Sequence, residues 1–276
     1  MRTFLTLLIL AVTWPAFAFE NDQIKVSLVS EHTALEHGRT NWVGVWLQPE
    51  KDWHVYWKNP GDSGQAPKID WQLPPGISVG DILWPVPEQI PVAHLMNYGY
   101  HKVLLMVPVS VGSDVALGSE LTIDARVRWL VCREVCIPGR ANLQLTLPVA
   151  NTATASPDVK QFALSRQQIP VESRLSSSFQ IQGEQVVVEL YKDMAGYQQL
   201  PKLFPLTEDL VNYTPLPKVQ KQGKRLLASF PLSDYFSQAP SSFEFVIQFD
   251  RDAIYRVSAP LSPKGKSPKS QLSTEE

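Results

Sequence analysis

The sequence is poor in cysteine: it has only Cys132 and Cys136, four positions apart. So low a count excludes a small scaffold held together by several disulfides. The formal net charge is −2, so the chain lacks the basic excess that is typical of nucleic-acid-binding proteins, and no nucleic-acid partner is expected. Beyond the amino terminus no segment approaches the ~20 apolar residues of a membrane-spanning helix. We therefore expect no stable membrane insertion.

The first 18 residues have the pattern of a secretory signal peptide. Arg2 supplies a positive charge, residues 5–12 form an apolar segment, and Ala16-Phe17-Ala18 gives a small-x-small cleavage site. The apolar segment is too short for a comfortable membrane span. We expect cleavage after Ala18 and export of the mature chain. In an oxidising compartment, two cysteines are by default a disulfide.

Proline is abundant, with 23 residues, and 44% of the chain is apolar. Proline breaks helices and is placed at strand ends and turns, and short segments of period-two alternation recur between Gly/Pro turns. These patterns predict an all-β protein with two β-sandwich domains joined by a short linker helix. The predicted strands include residues 24–30, 41–47, 53–57, 69–73, 82–84, 103–111, 121–131, 143–147, 179–181, 186–190, 225–230, 243–249 and 253–257. The predicted organisation is a signal peptide (1–18), a first sandwich with the cysteines (19–150), a linker (151–170), a second sandwich (171–262) and a disordered tail (263–276). Within the linker, one short helix is predicted after Ser156-Pro157-Asp158.

Residues 94–101 are unusual because His94, Met96 and His101 lie close together in a segment between predicted strands. Imidazole and thioether groups are ligands for copper, so a metal site that also uses Cys132 and Cys136 is one hypothesis. The favoured interpretation is a loop whose tyrosines hydrogen-bond back to the sandwich. His32, His37 and His54 show no ligand spacing and are predicted to be ordinary surface or loop residues.

The spacing of the cysteines requires a turn between them. In a straight strand, residues i and i+4 are ~13 Å apart, whereas a disulfide needs Cα atoms within ~7 Å, so residues 133–135 must reverse direction. A bridge across so short a loop stabilises the fold by only ~2 kcal/mol in the chain-entropy model, which favours a bond that is made and broken. The nearby arginines favour a thiolate, but strand alternation is expected to distribute them over both faces. A redox dithiol, a structural disulfide and a metal site all remain open at this point.

Four motifs resemble the amino-terminal periplasmic region of the DsbD/ScsB thiol–disulfide interchange proteins, especially the ScsB-like branch. They are Trp53-His54-x-Tyr56-Trp57-x-Asn59-Pro60-Gly61-Asp62-Ser63-Gly64, Trp84-Pro85-x-Pro87, Met96-Asn97-Tyr98-Gly99-Tyr100 and Trp129-x-Val131-Cys132-x-x-x-Cys136-Ile137-Pro138. The resemblance covers about residues 20–260. It implies immunoglobulin-like sandwiches, a periplasmic location and exchange of electrons through Cys132 and Cys136.

The resemblance also implies partners. In this family the periplasmic domain is reduced by a membrane-embedded partner domain and then reduces oxidised periplasmic proteins. We expect no cofactor in this chain. Full-length members continue into a membrane domain and a thioredoxin-like domain that do not follow here, so we expect a separate membrane-embedded thiol reductase as electron donor. The alternative is a copper-handling or partner-binding module in which the cysteines bind metal or form only a structural disulfide. The segment from Met96 to Tyr100 is predicted to shield the cysteine pair.

Overall fold

Strands dominate the chain, which confirms the all-β class. The structure is a computed structural model that describes residues 18–192, 197 and 199–262. The tail predicted for residues 263–276 and all of the predicted signal peptide except Ala18 lie outside the described residues.

The elements of the described part follow in chain order. They are β1 (Ala18–Glu20), β2 (Ile24–Ser30), β3 (Leu35–Glu36), β4 (Asn41–Pro49), β5 (Val55–Gly61), β6 (Lys68–Gln72), β7 (Ile77–Val79), β8 (Glu88–Val92), β9 (Leu95–Tyr100), β10 (Val103–Val111), β11 (Glu120–Cys132), β12 (Cys136–Ala150), α1 (Val159–Gln167), β13 (Val171–Glu172), β14 (Ser177–Gln182), β15 (Gln185–Tyr191), β16 (Lys202–Pro205), β17 (Lys218–Gln222), β18 (Arg225–Pro231), β19 (Ser242–Asp250) and β20 (Ala253–Pro260).

The first half contains two main sheets and a smaller one. A five-stranded sheet has the order β1-β2-β4-β10-β7, a four-stranded sheet has the order β3-β12-β11-β6, and β5-β9-β8 form a three-stranded sheet. Alternate residues of the main sheets, such as Val45, Leu105 and Val127, are fully buried in one hydrophobic cluster. This arrangement follows from the period-two pattern, because successive side chains of a strand point to opposite faces.

The single helix of the described residues packs on the outer face of the five-stranded sheet. Phe162 of α1 is fully buried in a small cluster with Val29, Leu104 and Met106. The Ser165 hydroxyl donates to the Leu104 carbonyl at 2.8 Å. The predicted helix after Ser156-Pro157-Asp158 is therefore present, and it covers a sheet in addition to linking the two halves.

The second half is a smaller sandwich of two four-stranded sheets, with the orders β13-β20-β19-β16 and β14-β15-β18-β17. Its core is rich in phenylalanine, including Phe179, Phe230, Phe243 and Phe245. The short strands β13, β16 and β17 were not predicted. All three are edge strands. The strands β13 and β17 are mostly exposed and β16 consists largely of buried residues, so period-two alternation does not reveal them.

Three predictions for the first half are wrong in detail. Residues 82–84 form only a bridge between Leu83 and Met106 and not a strand. The strand predicted at residues 53–57 is instead β5, which begins at Val55 and continues through Pro60 to Gly61. The segment 94–101, predicted as a loop, contains the strand β9, which pairs with both β5 and β8. In the last two cases the pairing of β5 with β9, which is distant in sequence, overrides the local turn signals.

Candidate redox site

The two cysteines close the tip of a long hairpin. The strands β11 and β12 pair without a break from Glu120–Pro148 to Cys132–Cys136, and residues 133–135 form the turn that the spacing requires. The Cα atoms of Cys132 and Cys136 are 4.2 Å apart and the sulfur atoms are 2.11 Å apart, so the two residues form a disulfide. The bond joins two already paired positions and ties no distant strands together.

The two sulfur-bearing residues differ in accessibility. Cys132 is 2% exposed, whereas Cys136 is an exposed residue. Exchange begins with attack of a thiolate on one sulfur of a disulfide. Of the two residues, only Cys136 is therefore accessible to a thiolate from another protein.

The buried cysteine is held by the chain segment that leads into β5. His54 and Cys132 exchange two backbone hydrogen bonds of 2.9 Å each, which places their side chains next to each other on one face. The prediction of His54 as a surface or loop residue is wrong, because it is only 2% exposed. Its Nε2 atom is buried and has no hydrogen-bond partner within the described residues.

The histidine is neutral at physiological pH. Burial, and to a smaller extent the electrostatic effect of the neighbouring His101, lowers the pKa of His54 to about 4. The rings of His54 and His101 lie 6.4 Å apart between centroids, and His101 Nδ1 lies 3.0 Å from the Trp53 carbonyl oxygen. An uncharged imidazole therefore lies between the disulfide and a solvent-exposed histidine.

Tyr56 is the side chain that contacts the sulfur atoms. Its hydroxyl donates a hydrogen bond to Cys132 Sγ at 3.1 Å and lies 3.5 Å from Cys136 Sγ. Burial raises the pKa of Tyr56, an effect that a hydrogen bond with Ser63 partly opposes, so the phenol keeps its proton. Sequence reasoning missed this contact. The only signal was the position of Tyr56 in the aromatic motif, which suits core packing equally well.

Two of the motifs identified in the sequence contact each other beside this tyrosine. The Asp62 amide donates to the Met96 carbonyl at 3.0 Å, and the amide and hydroxyl of Ser63 both donate to Asn97 Oδ1 at 3.0 Å. Gly64 has φ +98°, and a Cβ atom there would overlap the Tyr56 ring. The segment predicted to shield the cysteine pair therefore has a different structure. Residues 96–100 lie in the strand β9, which fixes the loop 62–64, and this loop packs against Tyr56.

The second half of the chain supports the same strand. The buried Asn59 amide donates to the Pro205 carbonyl at 3.0 Å and to the Tyr213 hydroxyl at 2.9 Å. The Thr214 hydroxyl donates to Asp62 Oδ2 at 2.7 Å. Phe204 packs edge-on against the rings of both Trp57 and Tyr98. The position of Tyr56 therefore depends on contacts that cross between the two sandwiches.

The three residues outside the disulfide in the metal hypothesis lie in the β8–β9 hairpin and just after it. His94 is exposed in the turn between β8 and β9, Met96 is half-buried in β9, and His101 lies in the turn after β9. In residues 18–192, 197 and 199–262 there is no group of three or more His, Cys, Asp or Glu side chains placed to hold a metal ion. The same part of the chain has no helix with the length and hydrophobicity needed to span a membrane.

Residues 23–148 match the sequence profile of the family described as "Thiol:disulfide interchange protein DsbD, N-terminal". This part of the chain is therefore similar to the DsbD N-terminal domain. The resemblance seen in the four motifs is confirmed, and the matched region carries both cysteines, Tyr56 and His54. Its sandwich is of the immunoglobulin-like kind that the resemblance implied.

Solved structures extend the comparison to both halves of the chain. The crystal structure of the N-terminal periplasmic domain of ScsB from Proteus mirabilis aligns with a TM-score of 0.64 and 23% identity, covering 87% of this chain and 94% of that one. At this identity the match shows a shared fold. Domains 5–6 of the S-layer protein SbsC align with a TM-score of only 0.23 and 9% identity, over 91% of this chain and 100% of that one. No curated protein matches the sequence.

Proposed function

We propose that Cys132 and Cys136 form a redox-active dithiol that passes electrons from a membrane-embedded thiol reductase to oxidised proteins in the periplasm. The observation that carries this proposal is the asymmetry of the pair. One sulfur-bearing residue, Cys136, is exposed at a hairpin tip, and the other is buried against the Tyr56 hydroxyl. The domain family and the signal-peptide pattern of residues 1–18 support the periplasmic location.

The electron-accepting step begins at the exposed sulfur. A thiolate of the reductase attacks Cys136 Sγ, the bond between Cys132 and Cys136 breaks, and Cys132 leaves as a thiolate that keeps the electron pair. The Tyr56 hydroxyl already donates to this sulfur, and hydrogen bonds to charged groups are stronger than those to neutral ones. A second thiol of the reductase then attacks the mixed disulfide and releases Cys136 as a thiol. The reductase leaves oxidised and the protein is reduced by two electrons.

The electron-donating step uses the same atoms in reverse order. The Cys136 thiolate attacks a disulfide of the substrate protein and one substrate sulfur leaves with the electron pair. Cys132 then attacks Cys136 Sγ, the mixed disulfide breaks, and the second substrate sulfur leaves. The substrate becomes a dithiol and the Cys132–Cys136 disulfide is restored. The hairpin brings the two Cα atoms to 4.2 Å, so the resolving thiol needs no large movement to reach its target.

Single cysteine variants test the assigned roles. Cys132→Ser keeps the exposed thiol and lacks the resolving one, so a mixed disulfide with a protein substrate accumulates. Cys136→Ser leaves only the buried thiol and is expected to trap about tenfold less adduct, because exchange depends on access to the sulfur. The measurement is the amount of dithiothreitol-sensitive adduct recovered from the periplasm, identified by mass spectrometry. The variant that lacks both cysteines is the control.

Two results would contradict the proposal. One is equal trapping by the two folded single variants, which would remove the distinction between Cys136 and Cys132. The other is a reduction potential far below about −300 mV for the wild-type pair, which is typical of inert structural disulfides. A potential above that range together with a Cys136 adduct would support electron transfer.

A further inference from the structure

One face of the cysteine hairpin carries the disulfide at its tip and exposed side chains further along the two strands. Paired residues of an antiparallel ladder share a face, as do residues two apart along a strand. Starting from the Cys132–Cys136 pair, the next same-face pair is Leu130–Pro138, and the one after it is Arg128–Arg140. On the neighbouring strand β6, Lys68 pairs with Arg128. The expectation that the arginines are distributed over both faces is thus wrong for Arg128 and Arg140.

Lys68, Arg128 and Arg140 are called the basic row. All three are exposed. Arg128 forms an exposed ion pair of 3.0 Å with Asp70, whereas Lys68 and Arg140 have no ion-pair partner in the part of the chain that the structure describes. The row therefore carries three positive charges and one adjacent negative charge. Exposed pairs such as Arg128–Asp70 contribute little free energy, so an external carboxylate can replace Asp70 at low cost.

The basic row lines a groove of about 390 Å³. The groove is lined on its apolar side by Trp129, Leu130 and Pro138, with Lys68, Arg128 and Arg140 along it. Gly139 lies in the same wall, and a Cβ atom at this position would overlap the Trp129 ring. Leu130 and Pro138 therefore form an apolar strip between the basic row and the disulfide. Apolar side chains next to charged ones are typical of surfaces that bind another polypeptide.

We propose that the oxidised substrate protein of this dithiol docks along this face with acidic side chains on the basic row. The proposal rests on the proposed function and adds the chemistry of the partner. Arg128 is four strand residues from Cys132, which is ~13 Å along the strand. The partner is therefore a polypeptide whose reactive cysteine is separated by about this distance from one or more Asp or Glu side chains. The charge complementarity steers the encounter and sets the orientation of the two sulfur atoms.

Three model peptides test the proposal. Each has the form Cys-Gly-Gly-Gly-X-X, where X is Glu, Gln or Lys, and its cysteine is joined to thionitrobenzoate as a mixed disulfide. The reduced protein attacks the peptide sulfur, and coloured thionitrobenzoate leaves with the electron pair. The remaining protein thiol then releases the peptide. At low ionic strength the Glu peptide is expected to react about tenfold faster than the Lys peptide, at the lower end of electrostatic steering effects.

The test variant replaces Lys68, Arg128 and Arg140 with Gln. Its Glu-to-Gln and Glu-to-Lys rate ratios are expected to fall towards one. A matched variant with Lys218, Lys221 and Lys224 replaced by Gln removes the same charge from exposed residues of the second sandwich, and its ratios are expected to equal those of the wild type. Added salt is expected to reduce the wild-type ratios, because exposed charges are screened.

The outcomes separate this proposal from the proposed function. A synthetic peptide of residues 131–137 carries the same two cysteines without the fold. If the wild type reacts with the Gln peptide no faster than this synthetic peptide does, the exchange function itself fails. If it reacts faster but with equal rates for Glu and Lys, only the docking proposal is overturned. Equal loss of rate for all three peptides in the basic-row variant would also overturn it, since the charges then act on the thiols. Binding to phosphatidylglycerol vesicles through the basic row, without peptide discrimination, would assign the face to a membrane surface instead.

Discussion

Replacing Tyr56 with Phe removes one hydrogen-bond donor from the buried sulfur and leaves the ring in place. The hydroxyl donates to Cys132 Sγ at 3.1 Å, and the ring packs against Gly64, so the fold is expected to persist. When the disulfide is attacked at Cys136, negative charge develops on Cys132. Without the donor, the departing thiolate lies in a buried position whose other close neighbour, His54, is neutral.

The expected magnitude follows from the strength of a hydrogen bond to a charged group, which is about 1.5–3 kcal/mol. Sulfur is a weak acceptor, so the lower value applies, and a loss of about 1.5 kcal/mol in the transition state slows the reaction about tenfold. Tyr56→Phe is therefore expected to be reduced about ten times more slowly by a monothiol such as glutathione. The effect is on the rate of cleavage of the Cys132–Cys136 bond.

The assay is single-turnover reduction by excess glutathione, stopped with acid, followed by alkylation of free thiols and mass spectrometry. Tyr100→Phe is the matched control, since Tyr100 is also buried and donates to the Pro85 carbonyl at 2.7 Å, away from the cysteines. It is expected to lower stability while keeping the wild-type rate. Rates for folded Tyr56→Phe within about twofold of the wild type would refute a role of this hydroxyl in the leaving step.

Three further substitutions probe the surroundings of the site. Gly64→Ala places a Cβ atom against the Tyr56 ring, at a residue with φ +98°. It is expected to lower the unfolding free energy by about 1–3 kcal/mol in urea titrations and to slow reduction of the disulfide as Tyr56→Phe does. Wild-type values in both assays would contradict this packing. Asn59→Ala removes the donor to the Pro205 carbonyl and is expected to cost about 1–3 kcal/mol, with an unchanged urea midpoint arguing against the inter-domain contact. The His54 pKa of about 4 means that the unfolded chain binds a proton below about pH 6.5 that the folded protein excludes, so stability is expected to fall by about 2 kcal/mol between about pH 7 and about pH 5. His54→Gln lacks this contribution, and an identical pH dependence in the variant would show that His54 is not the group responsible.

Much of the fold can be predicted from local patterns. The strands at residues 24–30 and 103–111 have the predicted bounds, because one apolar face and period-two alternation are local properties of a sequence. The turn at residues 133–135 follows from bond geometry alone. The predicted helix after Ser156-Pro157-Asp158 is present at Val159–Gln167, since Ser, Pro and Asp favour the start of a helix.

The interior of the site could not be predicted in this way. Tyr56 precedes Cys132 by 76 positions and reaches it only because the segment at His54 pairs with the end of β11. A histidine with no local ligand spacing looks like a surface residue until a distant strand covers it. The loop 62–64 and the strand β9 each contain turn-forming residues, and only their mutual hydrogen bonds show that one is fixed by the other.

The sequence by itself determined the all-β class, the short cysteine loop and the motifs of the DsbD N-terminal family, because these depend on residue type and spacing. Tertiary structure decided which cysteine is exposed, which hydroxyl contacts the sulfur of the other, and which basic side chains share the face of the disulfide. These properties depend on strand register, and a shift of one residue moves every side chain of a strand to the opposite face. Local sequence does not encode register between distant strands, which is set by the packing of the whole domain.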